Sequence, residues 1–491
     1  MRNALLTGFA LSLLAGCAAV GPDYGGPKPS NADAITRFPS SAEVSKSSEI
    51  LGSEPPEQWW QALNDAQLDS LIGQALTANY DLQSAVANVE AARAQITQAA
   101  NRFLPSVDLN TTVRERRDAL AAQPLLPAGV EPLTFGFATV GLDMLWELDL
   151  FGRVRRSVEA ASAELGSLEA VRNNVVLSVL STVATAYVDL RGAQLRLGVA
   201  ERNVAVQQQT LDLIATLNSE GAATDFDLAR ARAQLRNSQA LIPLQRAVAR
   251  NARNRLTTLL GQPPGTLDAQ LQATAPLPKL PELVAVGQPA DLLRRRPDIQ
   301  VAERALAAAS ARIGIATADL FPTVSLIGSA GAAAAPVSAL TSAGAPFFTV
   351  GPALRWNIFD RRAIYARISQ ADSAAAAAVA RYEMTVTRAL EEVDSAINTY
   401  GNERERQAQL VAAVAASRDA AHLAELRFKE GAEDFLTVLD AQRSLLQLED
   451  QQALSAINVA QGLIAIQRAL GGGWQSASLP SYRGYQAHTS P

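Results

Sequence analysis

The chain has 491 residues, 48% of them hydrophobic, enough for two or three ordinary domains with filled cores. Its net charge of −5 comes without any block of like charges, which argues against nucleic acid, since that partner needs a concentrated basic face. The only two histidines, His422 and His488, lie far apart and there is one cysteine, so a His-centred metal or acid–base site and an internal disulfide both drop out.

The N-terminus reads MRNALLTGFALSLLAGCAAV. One basic residue, a short apolar run and small residues make a signal peptide over 1–16, too short to span a bilayer as a helix. Leu14-Ala15-Gly16-Cys17 also matches a bacterial lipobox, which would make Cys17 a lipidation site; the alternative is an ordinary signal peptide that happens to contain a cysteine. Ala18 is not the Asp of inner-membrane retention, which favours the outer membrane. Residues 17–58, rich in Pro, Ser, Gly and Asn, read as a lipid-anchored tether.

A first structural unit is expected over 59–262. Leu68, Leu71, Ile72, Ala75 and Leu76 repeat at helical spacing, and a second helix from Asp81 ends at Phe103-Leu104-Pro105. The period then becomes two, giving strands near 106–116 and 137–150 around a Pro-rich loop. Strands of about ten residues cross a bilayer when tilted. After Phe151-Gly152-Arg153 a helix of about 65 residues, roughly 100 Å, runs to Glu220. Gly221-Ala222 breaks it, and a shorter helix runs from Asp225 to Leu260.

A Pro-rich linker, 263–297, leads to a second copy over 298–471. Leu320-Phe321-Pro322 echoes Phe103-Leu104-Pro105, Phe359-Asp360-Arg361 echoes Phe151-Gly152-Arg153, and Gly431-Ala432 echoes Gly221-Ala222. Strands are expected near 323–330 and 347–359, and residues 472–491, opening on a triple glycine, read as a disordered tail. The chain is therefore an internally duplicated α+β membrane protein with four strands. Four strands do not close a barrel and lipid does not tolerate an open edge, so several chains must pool them; two or three both give permitted even numbers.

No Ser/His/Asp set, Cys/His cluster or phosphate loop appears, so neither an enzyme nor a cofactor is expected. The acidic residues after each glycine break carry the remaining signal. Asp434 reads as a helix cap. Asp440 lies nearly two turns further in, beyond the helix dipole, either on a solvated face or on a gate. Leu436 and Arg443 share its face, so Leu436 could plug a passage and Arg443 could neutralise Asp440 by a salt bridge within or between chains. Asp227 is the weaker counterpart in the first half.

Across nearly the whole mature length the sequence resembles the TolC-like outer membrane factors, in the lipoprotein branch called the NodT family. The resemblance rests on Leu14 to Cys17, Val20-Gly21-Pro22-Asp23-Tyr24, Trp59-Trp60, Arg295-Arg296-Pro297-Asp298-Ile299, and Gly431 with Phe435-Leu436-Thr437-Val438-Leu439-Asp440-Ala441-Gln442-Arg443. It implies a homotrimer with a twelve-stranded outer-membrane barrel above a twelve-helix periplasmic tunnel. It implies an exit channel of an RND-type tripartite efflux system, with a periplasmic adaptor and an inner-membrane transporter as partners. The same resemblance puts the periplasmic gate on Leu436, Asp440 and Arg443, and adaptor docking on the turns Gly221-Ala222 and Gly431-Ala432. Thr437 departs from relatives that carry a second acidic residue there. Type I protein secretion, or a lipid-anchored scaffold without a pore, are the alternatives.

Overall fold

The computed structural model describes residues 19–27, 38–40, 50–51, 53–117 and 134–482. The signal-peptide segment and Cys17 lie outside the described residues. The chain forms two compact units, one from residues 19–27, 90–117, 134–167 and 302–382, the other from the remaining described residues.

The first unit holds a four-stranded antiparallel sheet. Its strands are β2 (Ser106–Arg117), β3 (Thr134–Leu148), β5 (Thr323–Ala334) and β6 (Pro346–Arg355), in the order β2-β3-β5-β6. The period-two pattern survives as two faces: Val107, Leu109 and Val113 on β2, and Phe348, Val350 and Leu354 on β6, are all exposed on one side. Two identical devices turn the chain from helix into strand. The Trp146 indole N–H donates to the Phe103 carbonyl at 2.8 Å, and that of Trp356 to the Leu320 carbonyl at 3.0 Å. Each carbonyl sits two residues before a proline, so its helix has ended and the oxygen needs a donor. Strand bounds differ from the expected ones: β3 runs from Thr134 to Leu148 where 137–150 was expected. β5 continues to Ala334 because ladder pairing holds the Ala/Gly run that shows no alternation, and β6 stops at Arg355 because its partner β5 begins opposite it at Thr323.

The helices are α1 (Ala66–Ala78), α2 (Tyr80–Ala100), α3 (Arg153–Ser219), α4 (Asp225–Leu259), α5 (Pro297–Ala318), α6 (Arg361–Lys429) and α7 (Phe435–Ala469). Asp65 caps α1, accepting from the Gln67 and Leu68 amides at 3.0 and 3.1 Å, and Leu68, Leu71, Ile72, Ala75 and Leu76 are its buried stripe. In the second unit α3 buries Val176, Val179, Leu180, Val183 and Tyr187 at helical spacing. Each such aliphatic side chain contributes about 1.5–3 kcal/mol.

The segment expected as a linker is more ordered than its prolines suggest. It contains a helical turn at Asp268–Leu271 and a strand β4 (Val284–Ala285) that pairs in parallel with β1 (Ile50–Leu51), and it buries Leu271, Val284, Val286 and Leu292. The expected disorder of the tail does not hold for Gly472–Tyr482. Gly473 sits where any side chain would meet Leu180, Trp59 and Trp60, and the Trp474 indole donates to the Arg295 carbonyl at 2.9 Å. Residues 483–491 lie outside the described residues.

The duplication reaches the helix ends. Asn79 Nδ2 donates to the Leu259 carbonyl at the end of α4, and Arg296 Nη1 donates to the Ala469 carbonyl at the end of α7, both at 2.9 Å. The arginine does more than the asparagine it replaces, because it also grips Asp298 and Glu392 at 2.7 Å each. These carboxylates hold its guanidinium above its usual pKa against the cost of burial. We expect Arg296→Met to cost about 2–4 kcal/mol in denaturant unfolding, since charged hydrogen bonds are lost and two carboxylates lose their partner. Arg294→Met, whose side chain is 83% exposed, should stay within about 0.5 kcal/mol.

Candidate functional site: the helical turns and the exposed face beside them

Both turns lie in the second unit and are built alike. Gly221 (φ 77°) and Gly431 (φ 72°) take the left-handed conformation that ends α3 and α6. The Ala222 amide donates to the Leu217 carbonyl at 2.8 Å, and the Ala432 amide to the Arg427 carbonyl at 2.9 Å, closing the same six-residue loop. A side chain at either glycine would meet nothing within 4 Å, so backbone angle alone demands glycine. Ala222 and Ala432 are exposed.

The return helices start with different caps. Thr224 and Asp227 form a capping box: the Asp227 amide donates to Thr224 Oγ1 at 3.2 Å, and Asp227 Oδ2 accepts from the Thr224 amide at 3.2 Å and its hydroxyl at 2.6 Å. The Asp227 carboxylate is thus occupied at the start of α4. Asp434 caps α7 as its sequence position suggests, accepting from the Thr437 amide at 2.9 Å and hydroxyl at 3.0 Å. These bonds hold its carboxyl below the usual 3.8. The cap therefore contributes fully above that pH and fades as the pH falls through its own lower value. Thr437 is spent on this cap.

Below the turns an apolar core ties the pieces together. Ile214, Ala231, Ala424, Phe435, Val438 and Leu439 are buried, and the Phe428 and Phe435 rings lie 6.0 Å apart. With Val438, Leu439 and Gln442 facing inward, α7 turns Leu436, Asp440 and Arg443 outward, and all three are exposed. The structure thus brings the three predicted gate residues onto one free face. No intrachain ion pair joins Asp440 to Arg443 among the described residues, so the intrachain form of the expected salt bridge is not made. Arg443 instead lines a cavity of about 240 Å³ with Gln245 and the Arg196–Asp450 pair, whose bonds are 2.8 and 3.0 Å.

Residues missed in the sequence stand opposite in the duplicate. With the two turns aligned, Phe226 corresponds to Leu436 and Arg230 to Asp440. Both are exposed, and the Arg230 guanidinium lies 4.9 Å from the Phe226 ring centre. One return helix thus presents a cation where its twin presents an anion. The 210-residue offset between the turns was the available signal.

The family described as outer membrane efflux protein matches residues 71–262 and 289–472, which take in both turns, both caps and the four strands of the antiparallel sheet. The chain belongs to the outer membrane efflux protein family. It is similar to the pyoverdine export outer membrane protein OpmQ of Pseudomonas putida, 32% identical over 97% of this chain and 98% of that one. Nodulation protein T of Rhizobium leguminosarum bv. trifolii is 30% identical over 95% and 97%. Among solved structures the outer-membrane channel OprN superposes with a TM-score of 0.86 at 38% identity, covering 93% of this chain and all of that one. The open-state MtrE channel of Neisseria gonorrhoeae gives 0.80 at 28%, covering 93% and 99%. The TolC-like fold expected from the sequence is therefore the fold of this outer membrane efflux protein, and the outer membrane is its compartment.

Substituting Gly431 tests the turn directly. Gly431→Ala should cost about 1–2 kcal/mol locally through its left-handed backbone, read as faster amide exchange at Ala432. Gly344→Ala, with open space and no positive φ, should change nothing.

Proposed function

We propose that the chain is the outer-membrane exit channel of a tripartite, RND-type efflux assembly that passes small molecules from a periplasmic pump to the exterior. The observation that carries this reading is a sheet with an apolar outer face and two open edges, in a member of an efflux family. Three copies would pool twelve strands into a barrel and their long helices into a periplasmic tunnel. A periplasmic adaptor would dock on Gly221-Ala222 and Gly431-Ala432, and an inner-membrane transporter would deliver the solute.

At the narrow end Leu436, Asp440 and Arg443 would each appear three times. Three leucines make an apolar constriction that gates by dewetting, and three carboxylates favour cations while repelling one another as the end tightens. Arg443 and Arg230 are the cations available to relieve that repulsion between copies. Asp227, held in its capping box, would shape the tip and not line the passage. In planar bilayers the purified protein should form channels. Leu436→Ala should raise open-state conductance events roughly several-fold, and Asp440→Asn should lower cation preference. Absence of channels in the wild type and in both variants would sink the duct reading.

Cys17 would carry the acyl anchor. The segment just after it supports this, because the Val20 amide donates to the Phe151 carbonyl at 3.1 Å, three residues past the end of β3. Arg156 then holds the Val20 and Gly21 carbonyls at 3.1 and 3.2 Å and Asp23 at 2.7 Å. The clamp begins three residues after Cys17 and holds the chain beside the end of β3. Incorporation of labelled palmitate should be lost in Cys17→Ser; a labelled Cys17→Ser protein would rule the anchor out.

A further inference from the structure

Helices α3, α4 and α7 of the second unit line a cavity of about 240 Å³. A defect in α4 lies beside it. Pro243, inside that helix, has no amide to give the Gln239 carbonyl, and its ring crowds the turn. The equivalent position of α7, 210 residues on, is Ala453, which carries no such defect. Leu241 and Leu244, on either side of the proline, line the cavity and are exposed.

Gln245 belongs to the same wall. It is 5% exposed, and its Oε1 accepts no hydrogen bond among the described residues. Buried acceptors nearly always have a donor. Gln245 and Arg196 also line a second cavity, of about 370 Å³, so the amide stands between two spaces and not against a protein donor. An acceptor in that position is satisfied only by a donor that enters the space.

The charges on the wall narrow what enters. The charged residues lining the first cavity are Arg196, Arg443 and Asp450, one more cation than anion. Arg196 spends Nε and Nη2 on Asp450, at 2.8 and 3.0 Å. Its Nη1 and the Arg443 guanidinium have no ion pair or hydrogen bond among the described residues. Leu241, Leu244 and Leu446 add an apolar surface. A dry cavity of about 150 Å³ takes one benzene ring, so the space here suits one ring with polar substituents. We infer that this cavity binds a small hydroxylated aromatic acid, with its carboxylate on Arg443 and Arg196 and its hydroxyl donating to Gln245 Oε1. The second cavity is not the seat, because Asp189 lines it and would repel a carboxylate. The site is built from three helices of one chain. It goes beyond the duct reading and does not depend on it.

Titration calorimetry of the full-length protein in nanodiscs, with empty nanodiscs subtracted, tests the site with 4-hydroxybenzoate as probe. The wild type should bind it saturably and about tenfold more tightly than benzoate, which brings no donor to Gln245. Gln245→Met keeps the side-chain volume and should bring the two acids to within about twofold of each other. Arg443→Gln should weaken both acids by about tenfold and leave the uncharged 4-hydroxybenzyl alcohol unchanged. Leu241→Trp, at an exposed position of the wall, should fill the space and abolish binding of all three compounds. No saturable heat in the wild type, as for a space that holds only water or a side chain of another copy, would overturn the site. Equal affinity of the wild type for the two acids would overturn the role of Gln245 and the hydroxylated class with it. Binding that survives Leu241→Trp would put the probe elsewhere and overturn the assignment to this cavity, even if Gln245→Met does not fold. Channel formation by the same preparations in planar bilayers reports on the duct reading separately.

Discussion

A backbone amide or carbonyl in hydrocarbon must have a partner, and this constraint organises the molecule. Four strands do not curl far enough to satisfy their own edges. The chain answers with repetition: one helix–strand–strand–helix unit is used twice, and the β3·β5 ladder joins its two uses. The tryptophan bonds to the Phe103 and Leu320 carbonyls belong to the same answer, because they satisfy a helix end at the point where the chain commits to a strand. A unit that solves its polar groups once can be repeated without solving them again.

Repetition also explains where the two halves were free to differ. Residues that hold the backbone stay equivalent, as at Gly221 and Gly431 or at the carbonyls of Leu259 and Ala469. On the exposed faces of the return helices equivalent positions carry opposite charges, Arg230 against Asp440. These faces are surfaces that the duplication left unconstrained by packing.

Much of this was legible before any coordinates. The two periods separate helix from strand, Gly-Ala marks both turns, and the order of the Phe-Pro and Phe-x-Arg echoes reveals the repeat. Other parts were hidden for identifiable reasons. The second half of β5, Ser-Ala-Gly-Ala-Ala-Ala, has no alternation to read, and ladder bonds alone extend it to Ala334. The Pro-rich stretch between repeats and the start of the tail look loose in composition, yet distant residues hold them: Arg191 and Gln194 donate to the Ala273 and Leu271 carbonyls of the stretch, and the tail packs on Trp59, Trp60 and Arg295. In the candidate site, spacing alone put Leu436, Asp440 and Arg443 on one face of a helix. It could not tell which face the core would take, nor that Asp227 would be spent on Thr224.

The sequence by itself determined the local matters, which depend on neighbours along the chain: where each helix breaks, which residues cap it, which strands carry one apolar face, and that the whole is doubled. Tertiary structure alone decided strand order, ladder register and the direction in which Asp440 points. These depend on partners tens to hundreds of residues away, and local periodicity says that a face exists without saying what will cover it.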